Sequence, residues 1–439
     1  MGIINGLDIL LKNKCETLPS IDMDENYELS VSGSKSNTLA LLTSDSVWGI
    51  LRGLESFSQL LYASVKGNMI FINETYIEDY PRYTHRGLLI DTSRHYLPLK
   101  TIKLILEGME YNKLNVLHWH ITDDESFPYQ SRKFPELSDK GAYHPEMFIY
   151  TQNDILKIIR YATQRGIRVI PEFDTPGHTR SWGEGRPELL TVCDSSRDGT
   201  NFYGPINPSN SFVFSFMEEF FKEIKELFPE RYMHLGGDEV SFECWKANKD
   251  VNSFMRKMNI TGDYAALEGY YIQRLLNIVN KLNISPVVWE EVFNNGVKLP
   301  TSTVVQVWIE PWKKTVQAAT NRSHGVLLSS CWYLDHLATG GDWINFYKCE
   351  PSSFAGTPVQ KKLVIGGEAC MWGEVVNRFN IIPRIFPRVS AVAEVLWSTI
   401  KSRDLKTMQS VSARLEEHTC RMNKRGISAQ PPNGAGFCI

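Results

Sequence analysis

A chain of 439 residues with 50 acidic and 47 basic side chains carries a formal net charge of −3, which gives no electrostatic reason to expect nucleic acid or an anionic membrane as a partner. Hydrophobic content of 42% and charged content of 22% are those of a globular protein with ample core. No stretch approaches the roughly 20 apolar residues of a membrane span, so membrane insertion is not expected, and Met1–Leu11 carries Asp8 and lacks the basic start of a secretory signal. Eight cysteines and four Asn-x-Ser/Thr sites, at Asn73, Asn259, Asn283 and Asn321, nevertheless favour an oxidising, secretory compartment. An N-terminus that begins inside a longer precursor reconciles these two observations.

Residues 1–80 are expected to form a small α+β domain and residues 81–439 a second, larger one. In the first, Tyr27–Val31 alternates apolar and polar side chains, Leu39–Leu42 is a short apolar run and Asn68–Asn73 closes as a further strand. Between them Val47–Ala63 places Leu51, Leu54, Phe57, Leu60 and Leu61 at helical spacing. Pro81 disfavours helix on both sides, so 78–83 reads as the exit linker.

Short apolar runs then alternate with longer helical stretches, which predicts βα units on a parallel sheet. The runs are Gly87–Asp91, Val116–Thr122, Ile167–Phe173, Tyr232–Leu235, Pro286–Trp289, Val304–Trp308, Val326–Ser329 and Leu363–Ile365. Eight of them suggest a closed (β/α)8 TIM barrel, whose chemistry sits on loops after the strands. Asp91 and Arg94 follow the first run, and His118, His120, Asp123 and Asp124 belong to the second. Glu172, Asp174 and His178 come next, then Asp238 and Glu239 after a Gly-Gly break. Trp289 and Trp308 end the fifth and sixth runs; the seventh leads to Trp332, Tyr333 and Asp335, the eighth to Glu368, Trp372 and Glu374. Aromatic faces against the C–H faces of a ring, with carboxylates and an arginine on its hydroxyls, are what a sugar site requires. A last helix, Asp404–Lys424, stops at Gly426.

Five stretches carry a family resemblance. They are 85–95 (HRGLLIDTSRH), 117–120 (LHWH), 172–178 (EFDTPGH), 234–239 (HLGGDE) and 366–374 (GGEACMWGE), and together they resemble the β-N-acetylhexosaminidases of glycoside hydrolase family 20, the animal lysosomal type above all. The likeness runs from about Cys15 to the C-terminus. It implies a barrel preceded by an α+β domain, and removal of terminal β-linked N-acetylglucosamine or N-acetylgalactosamine with retention. It also implies a glycan substrate (glycoprotein, glycolipid or chitooligosaccharide), no metal or other cofactor, a homodimer, and a lysosomal or secreted location.

By the same resemblance Glu239 is the general acid, Asp238 holds the substrate's acetamido N–H and Tyr333 donates to its carbonyl oxygen. Trp289, Trp308 and Trp372 match an aromatic box, Arg94, Glu374 and Asp335 match hydroxyl-binding positions, and Asp124 and His178 match the polar shell near the acid. Alternation along a strand would put Asp238 and Glu239 on opposite sides, so they would not flank one ring as acid and nucleophile. The substrate's own acetamido oxygen is then the expected nucleophile, through an oxazolinium ring. An acid at Asp335 resembles the subunit type that prefers neutral hexosaminides, whereas an Asn-Arg pair accompanies acceptance of charged ones; here the pair is Asp335-His336.

Cys193 with Cys244 and Cys420 with Cys438 match family disulfides, and Cys15 matches one whose partner lies upstream. Cys331 and Cys349 are additions to the family pattern, expected to pair because their spacing is similar to that of the last pair, and Cys370 is expected to be a buried free thiol. Val395 stands where the animal members carry arginine. Two readings of other classes stay open on sequence alone. The His118-x-His120 pair with Asp123, Asp124 and His178 suits a metal-dependent hydrolase, and a barrel that binds sugar without catalysis would keep the same aromatic walls.

Overall fold

The computed structural model describes residues 4–32, 39–64, 69–195, 201–336, 338, 340–400 and 404–438. Eight parallel strands close into a barrel: His85–Asp91, Val116–Thr122, Arg168–Phe173, Tyr232–His234, Ser285–Trp289, Val304–Val307, Gly325–Leu328 and Val364–Met371. The eighth pairs with the first, with Gly366 opposite His85. Helices on the outside bury one stripe each. Gln152–Thr163 turns Ile155, Ile158, Ile159 and Ala162 inward, and its start is fixed by a capping box between Thr151 and Asp154. Asn210 and Asp263 cap Ser211–Leu227 and Tyr264–Lys281 with single side-chain bonds, to the amides of Phe212 and Ala266.

One strand departs from expectation. The eighth runs to Met371 instead of stopping at Ile365, because the Gly-Gly pair that reads as a break is used here for close packing. A Cβ on Gly366, at φ +150°, would fall 1.8 Å from the carbonyl oxygen of His85. Glu368 therefore lies inside the barrel and not on its rim.

That interior is polar. His118 Nδ1 lies 2.7 Å from Glu368 and its Nε2 3.0 Å from Glu172, while His120 bridges Glu172 at 2.6 Å and Asp123 at 2.8 Å. His85 and Gln306 also bond Glu368. Burial works against charge on His118, but the two glutamates outweigh it and raise its pKa to about 9. Both glutamates are in turn held below the usual carboxylate range, burial notwithstanding, by the imidazoles around them.

The N-terminal unit is a four-stranded sheet in the order Gly6–Leu11, Leu39–Ser44, Tyr27–Val31, Thr75–Asp79, covered by the helix Val47–Leu60. Ser46 caps that helix through the amides of Trp48 and Gly49. The first strand was not expected. The last one takes in Glu78 and Asp79, assigned above to a linker, because Thr75–Asp79 alternates and pairs residue for residue with Tyr27–Val31. The helix ends three residues short of Ala63; Tyr62–Ala63 pairs instead with Ile70–Phe71, and Asn68 lies outside the described residues. Glu25 joins the unit to the barrel: fully buried, it accepts from Arg52 of the covering helix at 2.8 Å, from Arg86 of the first barrel strand at 2.6 Å and from Asn115 at 3.1 Å.

All three expected disulfides are present, Cys370 is a buried free thiol and Cys15 an exposed one. The four glycosylation-type asparagines are all exposed, and Val395 is fully buried in the helix Arg388–Trp397.

Replacing His118 by Leu takes one cationic partner from each of two buried glutamates, a change expected to cost about 3–5 kcal/mol, read as a fall in Tm near pH 6. In the unmodified protein, His118 is raised from an ordinary 6.5 to about 9, so the stability its charge confers is complete below pH 6.5 and is lost as pH rises through about 9. A Tm that stays flat across that interval would show that His118 is not held charged.

Candidate active site

At the C-terminal ends of the strands lies a cavity of about 160 Å³. Ten of the eleven residues singled out from the sequence line it: Arg94, His178, Asp238, Glu239, Trp289, Trp308, Tyr333, Asp335, Trp372 and Glu374. Trp289 is its buried floor, fixed because its indole N–H donates to Glu172 at 2.8 Å. Trp372 stands 6.0 Å from Trp289, and Trp308 stacks on Tyr333 at 6.1 Å on the other wall. Two consecutive acids hold Trp308 in place. Glu290 accepts its backbone N–H at 2.8 Å, and Glu291 accepts its indole N–H at 3.0 Å. Burial, with Asp238 nearby, pushes the Glu291 carboxyl up to about 8.

The acid pair does not sit on a strand. Ladder pairing of the fourth strand ends at His234, and the chain then coils through Gly236 at φ +70°, Gly237 at +96° and Glu239 at +50°. At Gly236 a Cβ would lie 1.6 Å from Asp174 Oδ1, so only glycine lets the turn close over that aspartate. The expectation from strand alternation is thereby corrected: Asp238 and Glu239 face the same cavity. They differ in depth. The Glu239 side chain is 59% exposed at the mouth and that of Asp238 11% exposed below it.

His178 faces both acids. Its Nε2 lies 3.6 Å from Glu239, 3.8 Å from Asp238 and 3.9 Å from Asp174, and its Nδ1 bonds Asp123 at 3.0 Å. Burial opposes its charge, but Asp174, Asp123 and Asp238 outweigh that and hold it at about 11. Asp174 itself is pushed well above the usual range by burial and by Asp238. Across the cavity Arg94 is clamped by Asp91 at 3.0 Å, Asp123 at 2.8 Å and Glu125 at 3.1 Å, with Glu374 4.0 Å away. Burial raises the carboxyls of Asp335 and Glu374 and leaves Tyr333 a neutral hydroxyl donor well past its ordinary range.

Asp124, the eleventh residue, does not line this cavity. It turns to Arg180, accepting its backbone N–H at 3.0 Å, while its neighbour Asp123 binds Arg94 and His178. In the sequence Asp174 stood at a strand end without an assigned role, and Asp123 entered only the metal-dependent reading. Among the described residues two clusters, His118 with Glu172 and His234, and Asp174 with His178 and Asp238, are compact enough to hold an ion. In them His118 and His178 point nitrogens at carboxylates, which raise the two imidazoles to about 9 and about 11, whereas a metal needs an imidazole lone pair.

Residues 83–400 match the family described as glycosyl hydrolase family 20, catalytic domain, and residues 2–60 a family described as beta-acetyl hexosaminidase like. The chain belongs to glycosyl hydrolase family 20. It is accordingly a glycoside hydrolase of the β-hexosaminidase kind. It is 50% identical over 433 residues to the human beta-hexosaminidase subunit beta, covering 98% of this chain and 76% of that one. It is equally 50% identical over 429 residues to the rat subunit alpha, covering 97% and 79%. Among solved structures of family 20, a chitobiase from Flavobacterium johnsoniae superposes with a TM-score of 0.83 at 28% identity, covering 95% of this chain but only 63% of that one. An exo beta-N-acetylglucosaminidase from Vibrio harveyi, in complex with N-acetylglucosamine, gives 0.81 at 25%, covering 96% and 69%.

Changing Asp123 to Asn keeps the shape but removes one carboxylate from His178, so the histidine's pKa is expected to fall from about 11. Imidazole titration by NMR reads this directly, and a midpoint that does not move would place the controlling charge elsewhere.

Proposed function

We propose that the chain is a retaining exo-β-N-acetylhexosaminidase that releases terminal β-linked N-acetylglucosamine or N-acetylgalactosamine with the help of the substrate's own acetamido group. The observation that carries this reading is the one imidazolium shared by two acids at different depths. Glu239 stands at the mouth, where a glycosidic oxygen would lie, and Asp238 stands beside Trp289, Trp308 and Tyr333, where a 2-acetamido group would be enclosed. Both acids lie on the His178 side, which leaves the far face of a bound ring without a carboxylate nucleophile from this pair.

In the first step Glu239 gives its proton to the leaving oxygen as the bond from that oxygen to the anomeric carbon breaks. The acetamido oxygen closes on that carbon, and Asp238 stabilises the N–H, which gains positive charge. Tyr333, a neutral hydroxyl, donates to the same acetamido oxygen and orients it. Water then opens the oxazolinium ring while Glu239 takes its proton, so the two inversions give retention. His178, held charged by Asp123, keeps both acids in place, and Arg94 with Glu374 and Asp335 binds the ring hydroxyls. Exposed glycosylation-type asparagines and three disulfides support a lysosomal or secreted location, and a homodimer is part of the same proposal.

Glu239→Gln should lower kcat on N-acetylglucosaminides with poor leaving groups by roughly 100-fold or more, and lower it much less on activated aryl glycosides, which need little protonation. Equal losses on both would remove Glu239 from the role of acid.

Asp335 lines the cavity, and Asp335→Asn with His336→Arg should raise kcat/KM for a 6-sulfated N-acetylglucosaminide relative to the unsulfated one. Because burial raises the Asp335 carboxyl, the unmodified enzyme should discriminate more strongly as pH rises and that group ionises. A ratio that neither the double change nor pH moves would show that Asp335 does not read the 6-position.

A further inference from the structure

Beside the catalytic cavity runs a second and larger one of about 460 Å³, and His178 and Glu239 line both. The rest of its wall includes two segments that the catalytic constellation does not use. One is the hairpin Leu190–Ser195 with Asn201–Ile206, which carries Phe202; the other is the short helix Glu243–Ala247. The Cys193–Cys244 disulfide ties the two together. Phe202 is 57% exposed, and the Arg180 guanidinium lies 5.4 Å from its ring centre. Arg180 is steered there by Asp124, which accepts its backbone N–H and lies 3.4 Å from its Nε. An exposed phenyl face held by a covalent tie, with one guanidinium and the carboxyls of Asp124 and Glu243 around it, matches the C–H face and hydroxyls of a pyranose.

The position of Glu239 decides which sugar this is. A proton passed from Glu239 lands on the glycosidic oxygen, so whatever is bonded to that oxygen must extend away from the catalytic cavity, and Glu239 forms the boundary with the groove. We propose that the groove is the leaving-group subsite and takes one pyranose stacked on Phe202, with Arg180 and Asp124 on its hydroxyls. This rests on the reading of the chain as an exo-β-N-acetylhexosaminidase with Glu239 as acid.

The test compares two substrates of the full-length enzyme: N,N′-diacetylchitobiose, whose second sugar reaches the groove, and N-acetyl-β-glucosaminyl fluoride, whose leaving group does not. The readout is the ratio of their kcat/KM values. Phe202→Ala should lower that ratio about tenfold, the scale of one lost aromatic stack, and Phe202→Trp should keep it within about twofold of the parent. A ratio unchanged in Phe202→Ala, with the fluoride turned over normally by the parent, would overturn the subsite while leaving the hydrolase reading intact. A parent that turns over neither compound would overturn both.

Discussion

A file of alternating charge runs up the inside of the barrel, and the geometry of the catalytic cavity depends on it. It begins at Glu368 and passes through His118, Glu172, His120 and Asp123 to His178, with successive distances of 2.7, 3.0, 2.6, 2.8 and 3.0 Å. Isolated, each of these charges would cost several kcal/mol to bury. Set in alternation, each carboxylate lies between cations and each imidazolium between anions, so the penalty is offset along the whole file. Its members belong to the eighth, second and third strands and to the loops beyond the second and third, so the file fixes those strand ends relative to one another. Trp289 is drawn in too, because its N–H ends on Glu172. The floor of the cavity is thus set by electrostatics as much as by apolar packing.

Above the floor, the loops repeat the same economy of partners. Asp123 serves His120, His178 and Arg94 at once, and Arg94 in turn reaches Asp91 and Glu125. Left-handed backbone at Glu239, unusual for a side chain with a Cβ, brings two consecutive carboxyls to one side. Glu290 and Glu291 divide the backbone and indole N–H groups of Trp308 between them, which keeps an aromatic wall at the end of a strand from swinging out.

Much of this was legible in the sequence. Apolar runs of three to seven residues separated by helical stretches are a strong signal, and all eight barrel strands overlap the runs read from the chain. What escaped was direction and continuity. Glu368 looked like a rim residue because Gly366-Gly367 reads as a turn when nothing shows how closely His85 approaches. Asp123 and Asp124 could not be told apart because the register of the second strand shifts between His120 and Thr122, and past a bulge alternation no longer says which side chain points inward. The hairpin bearing Phe202 left little trace, since its strands are short, their pairing is irregular, and a disulfide ties them to a helix far along the chain. The depth difference between Asp238 and Glu239 arises from three positive φ angles around them, which composition does not encode.

The buried junction at Glu25 has a bearing on what counts as the smallest folding unit. Glu25 belongs to the N-terminal segment, yet it neutralises Arg86, a residue of the first barrel strand with no exposure at all. A barrel cut away at residue 81 would keep that guanidinium and lose its only carboxylate among the described contacts. The α+β unit therefore supplies a counter-ion to the barrel, and the two parts should melt together in a single transition, as one cooperative body whose seam is electrostatic.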